Sequence, residues 1–73
     1  MNDLVWNFVS SSNVEGIAYD DNSQTLFVKF LNTNVYAYKN VPKFEFDNLL
    51  IAPSVGSYLN RNIKGNYPYE RVE

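Results

Sequence analysis

Apolar and polar residues alternate through the first half of the chain and recur at three- and four-residue spacing through the second. The clearest run, residues 24–31, sets Leu26, Val28 and Phe30 on one face and Phe27, Lys29 and Leu31 on the other. That period of two marks a strand, and the second face is apolar enough to be covered as well. Residues 4–9 are rich in β-formers and read as a short strand or an arm laid on the sheet. Ser10-Ser11-Ser12-Asn13 is a break. Residues 14–19 follow as a strand with Ile17 and Tyr19 on one face. Asp20-Asp21-Asn22-Ser23 is a turn, because short polar side chains bond neighbouring backbone groups. A calcium loop is not an option there, since an EF-hand spreads its ligands over about 12 residues ending in Glu.

The next turn decides where Tyr36 and Tyr38 point. A two-residue hairpin loop would put Thr33 at positive φ, which β-branched residues resist. A three-residue loop places Asn34 in the left-handed region instead, which Asn tolerates. This register sets Leu31 opposite Val35, Phe30 opposite Tyr36 and Val28 opposite Tyr38. Both tyrosines then share the Leu26/Val28/Phe30 face.

After Asn40 the period changes. Pro42 suits the first turn of a helix, where a missing N–H costs nothing, and Glu45 and Asp47 suit the positive end of its dipole. Phe46, Leu49 and Leu50 form its apolar face. Pro53 ends it, Ser54 caps a second helix, and Val55, Leu59 and Ile63 line that helix at every fourth position. Gly65 reads as the glycine that closes it. The tail 67–72 is expected to be extended and held by its aromatics. The reading is one α+β domain over residues 1–73: an antiparallel β-meander of three to four strands, then two short helices packed on one face.

Composition sharpens this. Seventy-three residues with 45% hydrophobic and 16% aromatic content describe a small core filled by rings. There is no cysteine, so neither disulfides nor thiolate metal sites brace the fold, as expected of a cytoplasmic protein. No stretch reads as a signal peptide or as the roughly 20 apolar residues of a membrane span, so no membrane partner is expected. The net charge of −2 argues against a domain that grips long polyanions by charge alone.

Several stretches together resemble one family. These are Ile17-Ala18-Tyr19-Asp20, Leu26-Phe27-Val28-Lys29-Phe30, Tyr36-Ala37-Tyr38 with Val41-Pro42, and residues 52–60, followed by Ile63, Tyr67 and Arg71. In order and spacing they resemble the KTSC domain, found at the C-terminus of some lysyl-tRNA synthetases and as small stand-alone bacterial and phage proteins. Three departures stand out: Asn32-Thr33-Asn34 replaces the usual glycine-containing turn, Pro53 is an addition, and Leu59 replaces an aromatic. The synthetase association implies RNA binding by neighbourhood only.

With no histidine or cysteine, neither a Ser-His-Asp nor a Cys-His arrangement exists, and no Gly-x-x-x-x-Gly-Lys phosphate loop is present. The expectation is a non-enzymatic binding domain without cofactor or metal, for a nucleotide or RNA-type ligand. Tyr58, Asn60, Arg61, Lys64 and Tyr67 crowd the second helix, where Arg61 and Lys64, three apart, share a face. Ser54 and Gly56 mark its N-terminus, where free N–H groups attract anions. Arginine can hold phosphate bidentately, and tyrosine can stack on a base. Tyr36 and Tyr38 read two ways, as core rings with hydroxyls at the rim or as a binding surface. Lys29, Lys39 and Lys43 suggest a thin basic stripe on the outer face of the sheet. The alternative is a protein-interaction module, such as a phage-encoded inhibitor or sequestering protein acting on a host pathway. Trp6 and Phe8 on the N-terminal arm would be its contact surface or a homo-oligomer seam.

Overall fold

The computed structural model describes residues 4–73. Five antiparallel strands form one sheet in chain order: β1 (Asn7–Phe8), β2 (Val14–Asp20), β3 (Thr25–Phe30), β4 (Val35–Tyr38) and β5 (Tyr69–Arg71). Helices α1 (Lys43–Ile51) and α2 (Val55–Tyr58) lie between β4 and β5, and α2 runs on as a π-helical segment, Leu59–Ile63. The meander thus gains strands at both edges over the three to four expected, one from the arm and one from the tail.

A bulge in β2 sets the main core. Val14 faces Phe30 and Gly16 faces Lys29, leaving Glu15 as the extra residue. The bulge reverses the alternation at that point, so Val14 and Ile17, three apart, share one buried cluster with Leu26, Val28 and Tyr38. From the helical layer, Val41, Leu49, Val55, Leu59 and Ile63 close this cluster. The opposite face is covered too. Ala18, Phe27, Val35 and Ala37 pack beneath Leu4 and Trp6 of the arm. Trp6 is therefore half-buried against its own sheet, and of the two arm aromatics only Phe8 stays largely exposed.

The β3–β4 register differs from the one the turn chemistry suggested. Leu26 faces Tyr38, Phe27 faces Ala37, Val28 faces Tyr36 and Lys29 faces Val35. The hairpin closes one residue earlier, over residues 31–33, with the Thr33 N–H donating to Phe30 O and the Phe30 N–H to Asn34 O. Thr33, not Asn34, takes the positive φ, at 75°. Asn32 Oδ1 accepts from the Asn34 N–H at 3.0 Å, and this local bond holds the turn in spite of the β-branch. Because the shift is two residues, the tyrosines keep the expected face.

Pro42 is the residue before α1 rather than its first turn, with φ −65° and ψ 152°. The apolar face of α1 also departs from expectation. Leu49 is buried and Phe46 stacks on Tyr19 at 5.4 Å, but Leu50 is exposed. Glu45, only 8% exposed, takes the inward position one turn before Leu49. In the second helix Ser54 caps as expected, its Oγ accepting from the Ser57 N–H at 3.2 Å. The π segment accommodates the strict four-residue repeat of Val55, Leu59 and Ile63. An α-helix drifts such a repeat by about 40° per step, and the wider π turn over Leu59–Ile63 offsets that drift, so all three stay inward. Gly65, at φ 85°, reverses the chain after Lys64.

Candidate functional site

A groove of about 790 Å³ opens where the β4–β5 edge of the sheet meets the end of the π segment, within the size range of small-ligand sites. Its wall is aromatic. Tyr36 faces Arg71 and Tyr38 faces Tyr69 across β4 and β5, which brings three tyrosines to one place. The Tyr36 and Tyr69 rings stack at 5.6 Å and 30°, Tyr38 and Tyr69 lie 5.6 Å apart, and Phe30 meets Tyr36 edge-on at 5.5 Å. At these separations the rings already touch, so they form a continuous platform with no slot between its members. Tyr38 is the floor at 2% exposure, while Tyr69 is 59% exposed at the rim. Burial, followed by its two tyrosine neighbours, pushes the Tyr38 hydroxyl above the ordinary tyrosine pKa.

Lys64 supplies the charge. Its Nζ lies 5.3 Å from the Phe30 ring centroid, a cation–π contact at the groove mouth. The amides of Asn13, Asn32 and Asn34 add a polar lip, and among the described residues no carboxylate lines the groove.

The residues singled out from sequence fall in four places. Tyr36, Tyr38 and Lys64 meet in the groove. Ser54, Gly56 and Asn60 line a smaller polar cleft of about 340 Å³, shared with residues 10–13. A Cβ on Gly56 would stand 3.0 Å from Asn13 Oδ1, so this glycine admits the serine loop. Tyr58 and Tyr67 turn inward onto one carboxylate. Tyr58 OH donates to Glu45 Oε1 at 2.5 Å and Tyr67 OH to Glu45 Oε2 at 3.0 Å, while Asn48 Nδ2 donates to Tyr58 OH. Burial first, then the bond to Glu45, raises both tyrosine pKa values. This triad ties α1 to the second helix and the tail, and it satisfies a buried charge that would otherwise be costly. Arg61 is exposed and lines neither cavity. The helix ends at Ile63, so Lys64 sits beyond it at ψ 130°, and the shared face expected for Arg61 and Lys64 is not formed.

The basic stripe is also dispersed. Lys39 pairs with Glu70 at 3.6 Å and Lys43 with Asp47 at 3.1 Å. Lys29 pairs in register with Val35 and so lies on the same outer face as Ala18, Phe27 and Ala37, away from the groove. Sequence reasoning missed Phe30 and Tyr69 as groove residues. For Tyr69 the signal was the alternation Tyr67-Pro68-Tyr69, which reads as a strand only once its pairing with β4 is known.

The KTSC domain family model matches residues 10–67. A protein of Tsukamurella paurometabola is 37% identical over 59 residues, covering 81% of this chain and 88% of that protein. A lysine–tRNA ligase of Trichormus variabilis is 42% identical over 57 residues, covering 74% of this chain. The chain spans only 10% of the length of the ligases it matches. Among solved structures, a KTSC domain protein from Yersinia pestis superposes with a TM-score of 0.91 at 28% identity, covering 96% of this chain and 99% of that one. No helix among the described residues is long and apolar enough to cross a membrane. A small protein and a tenth of each ligase thus share this sequence, and the chain belongs to the KTSC domain family.

Proposed function

We propose that this domain binds a nucleotide or the base of a single-stranded RNA in the aromatic groove, without catalysing a reaction on it. The observation that carries this reading is the Tyr36–Tyr69 stack, open to solvent at Tyr69 and flanked by the Lys64 ammonium. Bases stack on such faces whatever their sequence, and a cation beside them suits a phosphate. Relatives named as lysine–tRNA ligases add weight to an RNA-type ligand. The groove replaces the N-terminus of the second helix as the favoured site, because there Ser54 Oγ already takes the Ser57 N–H.

A calorimetric titration with nucleosides, nucleotides and short RNAs tests this. Tyr69→Leu, which keeps apolar bulk at an exposed rim, is expected to weaken binding by roughly 5- to 150-fold, since a base–aromatic stack contributes about 1–3 kcal/mol. Arg61→Ala and Ser54→Ala should leave affinity unchanged. Binding that survives Tyr69→Leu but disappears with Arg61→Ala would return the site to the helix.

A second reading, a protein-interaction module, is favoured by α1. Phe44 and Ile51, seven apart and so on one face, are 59% and 80% exposed, with Leu50 beside them. A partner captured through this strip would be lost on Phe44→Ser.

A further inference from the structure

If the groove is the ligand site just proposed, its charge pattern restricts what it takes. We infer that it accepts one base carrying one phosphate, a nucleoside monophosphate unit, and does not track a polynucleotide backbone.

The cations decide this. A groove that follows a nucleic-acid strand needs a row of basic groups along it, because each backbone phosphate brings another negative charge. Among the described residues lining this groove, Lys64 is the only cation. Lys39 and Lys43 do not line it and pair instead with Glu70 and Asp47. Arg71, on β5 itself, donates its Nε to the Glu73 carbonyl at 3.1 Å and does not line the groove. With the whole chain at −2, a second and third phosphate would meet no local compensation.

The aromatic geometry agrees with the charge. Tyr36, Tyr38 and Tyr69 make one connected platform. Tyr38 is its buried floor and Tyr36 is half-buried between Phe30 and Tyr69, which leaves the exposed Tyr69 ring as the main stacking face. Successive bases need successive stacking faces, as in proteins that bind single strands. A single base on this platform, by contrast, lies in the same groove as the Lys64 ammonium. The contact between Phe30 and Lys64 holds that ammonium at the mouth, so the charge is positioned before the ligand arrives.

The test measures affinity for a nucleoside, its monophosphate, and oligonucleotides of increasing length, each at several salt concentrations, using the intact chain and Lys64→Met. The monophosphate is expected to bind about tenfold more tightly than the nucleoside, the low end for a hydrogen bond to a charged group. Lys64→Met should erase that difference, bringing the monophosphate down to the affinity of the nucleoside for the same variant. Oligonucleotides should bind no more tightly than the monophosphate, and log K should fall with log salt at a slope of about one phosphate. Affinity that climbs with oligonucleotide length, or a slope of several phosphates, overturns the inference while leaving the aromatic site intact. Equal binding of nucleoside and monophosphate does the same. Failure of every one of these probes to bind removes the proposed function itself.

Discussion

Replacing Thr33 by glycine is expected to stabilise this domain. Thr33 sits at φ 75° in an exposed three-residue loop, a conformation that costs an L-residue about 1–2 kcal/mol, and a β-branched residue no less. Glycine enters that region without the penalty. It adds freedom to the unfolded chain, however, which returns roughly 0.4–1 kcal/mol. The turn's own bonds involve the backbone of residues 30, 33 and 34 and the Asn32 side chain, not the Thr33 side chain. The net gain is then about 0.5–1 kcal/mol, and for a domain of this size that is a rise in Tm of roughly 2–8 °C. Thermal and urea unfolding of the wild type, Thr33→Gly and Thr33→Val measure it. Thr33→Val retains the branch and the strain, so it should stay within about 0.5 kcal/mol of the wild type. A Thr33→Gly protein with unchanged or lowered stability would refute the strained turn and the register built on it.

Other outcomes follow from the same packing. Glu45→Gln removes the charge that accepts from Tyr58 and Tyr67 and should cost about 1–3 kcal/mol in denaturant unfolding. Gly56→Ala brings a Cβ to 3.0 Å from Asn13 Oδ1. It should cost about 1 kcal/mol or more through overpacking, with amide shifts concentrated in residues 10–13. Tyr38, Tyr58 and Tyr67 all have pKa values raised in the folded state above the ordinary 10.0. The folded protein therefore holds these protons more tightly than the unfolded chain. Their contribution is complete below about pH 10 and is lost as pH rises through the folded values. Unfolding free energy should be level through neutral pH and fall in strong alkali, alongside the rise in tyrosinate absorbance.

Much of the fold was legible because local rules and tertiary packing agreed. The alternation of Leu26, Val28 and Phe30, the Ser54 cap and the Val55/Leu59/Ile63 repeat all kept their predicted roles. The register failed by two residues because an Asx bond from Asn32 outweighed the reluctance of Thr33 toward positive φ, a contest propensity alone does not decide. The lack of any glycine in Asn32-Thr33-Asn34 was the visible clue. The site was less legible for a different reason. Glu45, Tyr58 and Tyr67 are up to 22 residues apart, and only the packing of α1 against the second helix and tail turns these polar groups on one another. Tyr69 likewise joins Tyr36 through strand pairing at the sheet edge. The tyrosine pair divides, with Tyr38 buried in the core and Tyr36 half-buried along the groove.

The central claim is that ligand meets the Tyr36–Tyr69 platform, and resonance mapping during titration with a nucleoside monophosphate tests it most directly. The account predicts saturable shifts in the ring protons of Phe30, Tyr36 and Tyr69 and at Lys64, with contacts from base protons to the Tyr69 ring. Shifts confined to residues 54–61, with the Tyr36 and Tyr69 rings unmoved, would contradict it.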